Sequence, residues 1–148
     1  MREIKFRGWN KSAAHPYMLD IEQVTYDESG KLSCISGFPI DSDNGGEITL
    51  LDGQFEIMQF TGLQDKNGVD IYEGDVIKTY HFTNRANGKF EYINHIVKWS
   101  EKFHGWFLLN CDSMNENDGS IQFFVHLRAN KDFEIIGDTH SNPELLEK

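Results

Sequence analysis

Apolar and charged side chains alternate along residues 2–9, with Glu3, Lys5 and Arg7 set against Ile4 and Phe6. A period of two is the signature of a strand with one buried face. The stretch AAHPY at 13–17 interrupts it, because Pro16 has no N–H to give a ladder. Two further runs, 21–26 (IEQVTY) and 31–36 (KLSCIS), flank Asp27-Glu28-Ser29-Gly30 and predict a hairpin. A polar, glycine-containing loop at 39–47 leads into strand candidates at 47–51 and 55–60, separated by Asp52-Gly53. Asp-Gly between β-prone runs is a strong hairpin signal.

Farther along, 75–82, 90–99, 105–111, 120–126 and 132–138 all read as strands, divided by turn-rich polar segments. No apolar pattern holds a 3.6-residue period for three turns. Only the end departs from β character. In SNPELLEK, Asn142 can cap, Pro143 suits a first helical position and Glu144 favours the positive end of a helix. One short C-terminal helical turn is predicted there, with Leu145 and Leu146 free to pack. The loop at 39–47 is the expected boundary between an N-terminal β unit, 1–46, and a C-terminal barrel, 47–148, unless the two form one continuous domain.

Between those parts lies FTGLQDKNGVDIYEGDVIKT, residues 60–79. Asn67-Gly68 can supply positive φ, and Gly74-Asp75 punctuates again before Val76 and Ile77. Asn67, Gly68, Gly74 and Asp75 are therefore structural-turn candidates, with Ile71 and Tyr72 expected to pack. Two turns so close together imply a chain reversal followed by entry into a core strand.

Composition supports a folded core: 39% of the residues are hydrophobic and 13% aromatic, among them eleven Phe. No run approaches the roughly 18 apolar residues of a membrane span. The first residues lack the apolar segment of a secretory signal. A cytoplasmic protein with no membrane partner is expected, and in that compartment Cys34 and Cys111 are expected as buried free thiols.

Charge sharpens the picture. The formal net charge is −10, yet residues 1–11 carry +3, 40–75 carry −8, 76–111 return to +3 and 112–148 carry −5. A duplex-binding protein normally presents a basic face to phosphates, so the overall balance argues against one. The basic central segment is also aromatic. Lys78, Tyr80, Phe82, Lys89, Tyr92, Lys98, Trp99 and Trp106 make a candidate interaction surface, either stacking single-stranded bases or anchoring a protein. The plainer alternative is that most of these aromatics form a barrel core and the lysines its solvated face.

Catalytic and metal motifs are scarce. Asp41, Asp43 and Asp52 have the spacing of parts of a calcium loop, but Gly45 stands where a ligand is needed and the last position lacks the bidentate Glu. His81 and His95 would approach each other if 75–82 pairs with 90–99, but no third ligand is in place. There is no GxSxG, P-loop or GxGxxG. No cofactor, metal or catalytic residue is predicted.

Three separated blocks, REIKFRGW, MQFTGLQDKNGVDIYEGDVIK and FEIIGDTHSNPELL, together resemble the YopX-like family of phage and prophage proteins. The central block is the most specific. The resemblance implies a mainly β fold whose C-terminal part is an SH3-like barrel, and a phage or prophage origin. It supplies no catalytic residues. The expected function is that of a non-enzymatic phage accessory protein working by protein–protein contact. Its partner would be a host or phage protein, with homo-oligomerisation through the N-terminal strands as one form of that contact. A single-stranded nucleic-acid-binding barrel is the second reading, and an enzyme with an unrecognised site the third.

Overall fold

The computed structural model describes residues 3–40, 45–84, 89–102, 104–112, 122–123 and 133–146, and for 80–84, 89–91 and 122–123 the backbone alone. The expected alternation becomes β1 (Phe6–Asn10), β2 (Tyr17–Tyr26), β3 (Leu32–Pro39), β4 (Ile48–Leu51) and β5 (Phe55–Gln64). After a short β6 (Asp70–Tyr72) come β7 (Asp75–Asn84), β8 (Lys89–Ser100), β9 (Gly105–Asn110), β10 (Gln122–Phe123) and β11 (Glu134–Asp138). A 3-10 turn, Pro143–Leu146, follows. The fold is mainly β, built as two antiparallel sheets. The break at Pro16 falls between β1 and β2, and the Asp27 turn is closed by its own carboxylate, which accepts the N–H groups of Ser29 and Lys31.

Contacts divide the chain into Met1–Phe60 and Thr61–Lys148. The division falls inside β5 and not at the expected 46/47. The reason is pairing: β4 bonds to β3 through Ile35↔Leu50, and the first half of β5 bonds to β1 through Gly8↔Ile57. Both strands therefore belong with the N-terminal strands. Past Phe60, β5 continues into the second unit, where β6 is its neighbour.

In the first unit the strand order is β4-β3-β2-β1-β5. Leu19, Ile35, Leu50 and Phe55 form its buried core, each contributing about 1.5–3 kcal/mol on burial. A bulge in β2 between Ile21 and Gln23 lies against Gly37. A Cβ on Gly37 would stand 2.0 Å from the Asp20 carbonyl oxygen, so only glycine allows that approach.

The second unit contains the order β10-β9-β8-β7-β11, buried on both faces. Ile77, Val97 and Leu108 pack with Ile71 and Phe133 on one side. On the other, Val76, Ile96, Phe107 and Leu109 meet Leu145 and Leu146 of the C-terminal turn. Double-sided burial explains why Val76-Ile77 and WFLL read as continuous apolar runs and not as alternation.

Candidate interaction surface

The pleat separates the predicted surface residues. Along β8, Tyr92, Ile96 and Lys98 share one face, while Val97 and Trp99 share the other. Lys78, beside Val76 and Ile77 on β7, places its ammonium 4.5 Å from the centre of the Tyr92 ring. Tyr92 is 65% exposed. Trp99 is paired in register with Trp106 and meets it edge-to-face at 5.2 Å between ring centres. Trp99 remains 41% exposed, whereas Trp106 is half-buried against the Ile77–Val97–Leu108 cluster. The structure thus brings Lys78 to Tyr92 and Trp99 to Trp106, as two separate pairs. Lys98 is half-buried opposite Phe107. The side chains of Tyr80, Phe82 and Lys89 lie outside the described residues.

Beside Tyr92 is a cleft of about 220 Å³ that sequence reasoning missed. Its walls come from β8 (Tyr92, Asn94), from the chain just past β9 (Cys111, Asp112) and from the C-terminal turn (Leu145, Leu146). The Cys111 N–H donates to the Asn94 carbonyl at 3.0 Å, which fixes the two walls together. The only advance signal was the Leu-Leu pair after Pro143, a turn with apolar residues to bury.

The four turn candidates lie in two hydrogen-bonded turns. The buried Asp65 carboxylate accepts the N–H groups of Asn67 at 2.7 Å, Val69 at 3.0 Å and Ile135 at 3.3 Å. Gly68 takes φ +82° and donates to the Asp65 carbonyl, so the reversal spans Asp65 to Val69 and is wider than a two-residue turn. Lys66 N–H donates to the Phe133 carbonyl, and its ammonium lies 2.7 Å from Glu134. The turn after β5 is thereby stitched to β11, the last strand of the order. Gly74, at φ +81°, donates to Val97 and accepts from Thr139, while fully buried Asp75 accepts the Tyr72 N–H at 2.7 Å.

The YopX protein family matches residues 5–147, nearly the whole chain. The chain belongs to that family. Among solved structures it is similar to protein EF1440 from Enterococcus faecalis, with a TM-score of 0.63 and 23% identity, covering 99% of this chain and 100% of that one. At that identity the likeness speaks to the fold. No curated protein matches the chain.

In this YopX chain Asp65 and Cys111 are both shifted by their surroundings. Burial would raise the Asp65 carboxyl, but the N–H groups of Val69, Asn67 and Ile135 outweigh it and hold the pKa below its ordinary 3.8. Burial, and then the Asp112 charge, push the Cys111 thiol up to about 11. Cys34 and Cys111 are both free thiols; Cys111 is buried and Cys34 half-buried. His81 and His95 do not face each other: His81 is opposite Glu91, and His95 is opposite Ile77. Four residues of strand separate them, roughly 13 Å. His95 is buried instead, its Nδ1 3.1 Å from Thr79 Oγ1. Among the described residues, no group of three or more His, Cys, Asp or Glu is placed to hold a metal. Asp41 and Asp43 lie outside the described residues, and Asp52 pairs with Lys31. Among the described residues, no helix is long and apolar enough to cross a membrane.

Proposed function

We propose that this YopX family protein is a non-enzymatic accessory protein of phage or prophage origin that works in the bacterial cytoplasm by contact with another protein. One observation carries the reading: the side chains left exposed in the second unit include the aromatic anchors Tyr92 and Trp99. Asp65, Asp75 and Cys111 are meanwhile bonded into turns or held as a buried thiol. Exposed aromatics beside half-buried apolar side chains are the usual anchors of a protein contact.

Capture from a lysate of the bacterial host, with and without nuclease, tests this. A protein retained after nuclease by the wild type, and lost from Tyr92→Ala or Trp99→Ala, is the expected result. Retention of nothing by the wild type would end the reading.

The Lys78 ammonium over the Tyr92 ring favours a second reading, single-stranded nucleic acid stacked on an aromatic beside a cation. Binding of an oligonucleotide that falls steeply with salt, and falls further in Lys78→Ala, would move the function there.

A further inference from the structure

β4 ends the strand order of one sheet and β11 that of the other. An end strand presents unpaired N–H and C=O groups to any strand that arrives next, including one from another copy of the chain.

Along β4 the ladder fixes which groups face outward. The Asp52 N–H donates to the Ser33 carbonyl at 2.8 Å, and in the same register Leu51 is opposite Cys34 and Leu50 opposite Ile35. Bonded and unbonded pairs alternate along an antiparallel ladder. Ile48 and Leu50 therefore turn their backbone groups toward β3, while Thr49 and Leu51 turn theirs away from it. Both outward residues are exposed, Leu51 at 60%.

The outward groups of Leu51 are already taken. Its N–H donates to the Gln54 side-chain oxygen at 2.8 Å, and its carbonyl accepts the Gln54 N–H at 3.0 Å. The amide oxygen of Gln54 thus stands where the carbonyl of an added strand would stand. We propose that the Gln54 side chain terminates the first sheet, closing the β4 edge at Leu51 against strand addition by a second copy of this chain.

β11 shows the same arrangement with different residues. The Ile135 N–H donates to the Asp65 carboxylate at 3.3 Å, and the Phe133 carbonyl, just before the strand, accepts the Lys66 N–H at 2.9 Å. A side-chain oxygen again receives a strand N–H that the neighbouring strand does not. At β4 two further features act in the same direction. The strand is four residues long, and the Lys31–Asp52 ion pair lies at its end. Short edge strands and charged side chains are means by which sheets avoid edge-to-edge pairing.

The Gln54 side chain is separable from the fold. The Gln54 N–H is bonded to Leu51 and its carbonyl accepts the Lys11 N–H, and neither bond uses the side chain. Removing that side chain leaves the turn and the start of β5 in place and uncovers the Leu51 N–H. The inference is independent of the partner contact proposed above, and it sets aside strand addition at β4 as a route to a homo-oligomer.

The test compares wild type, Gln54→Ala and Gln54→Glu at pH 7 by sedimentation velocity, from micromolar to millimolar chain. Amide hydrogen exchange at micromolar concentration is measured beside it. Gln54→Ala should exchange the Leu51 amide about fivefold faster, as expected for the loss of one ordinary hydrogen bond. Its mean mass should rise above that of the wild type with concentration, with a dimer constant on the order of 1 mM. Gln54→Glu keeps an acceptor and should match wild type in both measurements. Thr49→Lys added to Gln54→Ala puts a charge on the same edge and should restore the wild-type mass. Gln54→Met, which keeps the side-chain length without the acceptor, repeats the test if the alanine variant loses its fold. Unchanged Leu51 exchange, or a wild-type mass for Gln54→Ala at every concentration, overturns the proposal. Association that Gln54→Glu shares, or that Thr49→Lys leaves in place, overturns it as well.

Discussion

Asp65→Asn is the most informative single change, because it keeps the shape of the side chain and removes only its charge and one acceptor. In the native turn, Oδ1 accepts from Asn67 and Val69, and Oδ2 accepts from Ile135 and from the Asn67 amide. An asparagine oriented to keep the first two bonds turns its NH₂ toward two donors. The retained bonds lose their charge assistance, about 0.5–1 kcal/mol each, and the Ile135 N–H is left without an acceptor at about 1–3 kcal/mol. The bond to Ile135 is long, 3.3 Å, so its share belongs at the low end. The sum is about 2–4 kcal/mol.

The second unit spans 61–148, which is 148 − 61 + 1 = 88 residues, and for that size the loss lowers the melting midpoint by roughly 10–20 °C. Denaturation followed by tryptophan fluorescence reads this out, since Trp99 and Trp106 both lie in the unit. Acid provides the internal control. The folded carboxyl lies below its ordinary 3.8, so its contribution is fully present above that pH and fades as pH falls through the folded value. The gap between wild type and variant should therefore narrow in acid. A variant as stable as wild type at pH 7 would refute the account, and so would a gap unchanged at pH about 2.5.

Gly37→Ala should cost about 2–4 kcal/mol in the first unit, because the atom it meets is backbone and cannot swing aside; an unshifted urea midpoint would contradict this. Gly68→Val and Gly74→Val should both destabilise the second unit through their positive φ. A Cβ at Gly68 would have nothing within 4 Å, so its cost is backbone strain alone, about 1–2 kcal/mol by thermal melt. Unchanged melting of both variants would remove the glycine argument. Cys34 should alkylate well before Cys111, whose thiolate at pH 8 is about one part in a thousand of a group titrating near 11. Mass-spectrometric mapping that finds Cys111 modified first would show its packing to be wrong.

The strands were legible where a period of two or an unbroken apolar run met turn residues, as in β1, β3 and β7 to β9. β6 escaped notice because three residues cannot display a period, and Asp70 looks like part of a turn. The unit boundary escaped because it falls within one uninterrupted strand, where composition does not change. Asn67-Gly68 announced a reversal, but nothing local shows that Asp65 reaches an N–H seventy positions away. The cleft was hidden for the same reason. Tyr92, Cys111 and Leu145 are brought together only by tertiary pairing, and exposure, which separates Tyr92 and Trp99 from buried Phe107, is a property no single residue announces.

The bond between Asp65 and Ile135 also has a meaning in time. A ribosome adds about 5–20 residues per second, so the seventy residues between them occupy roughly 4–14 s of synthesis. Throughout that interval the nascent chain carries a carboxylate turn whose last donor does not yet exist. Chains that stop short of Phe133 never receive it. Termination before Ile135 should therefore yield a product that chaperones and proteases recognise as unfinished, even though most of its strands have been made.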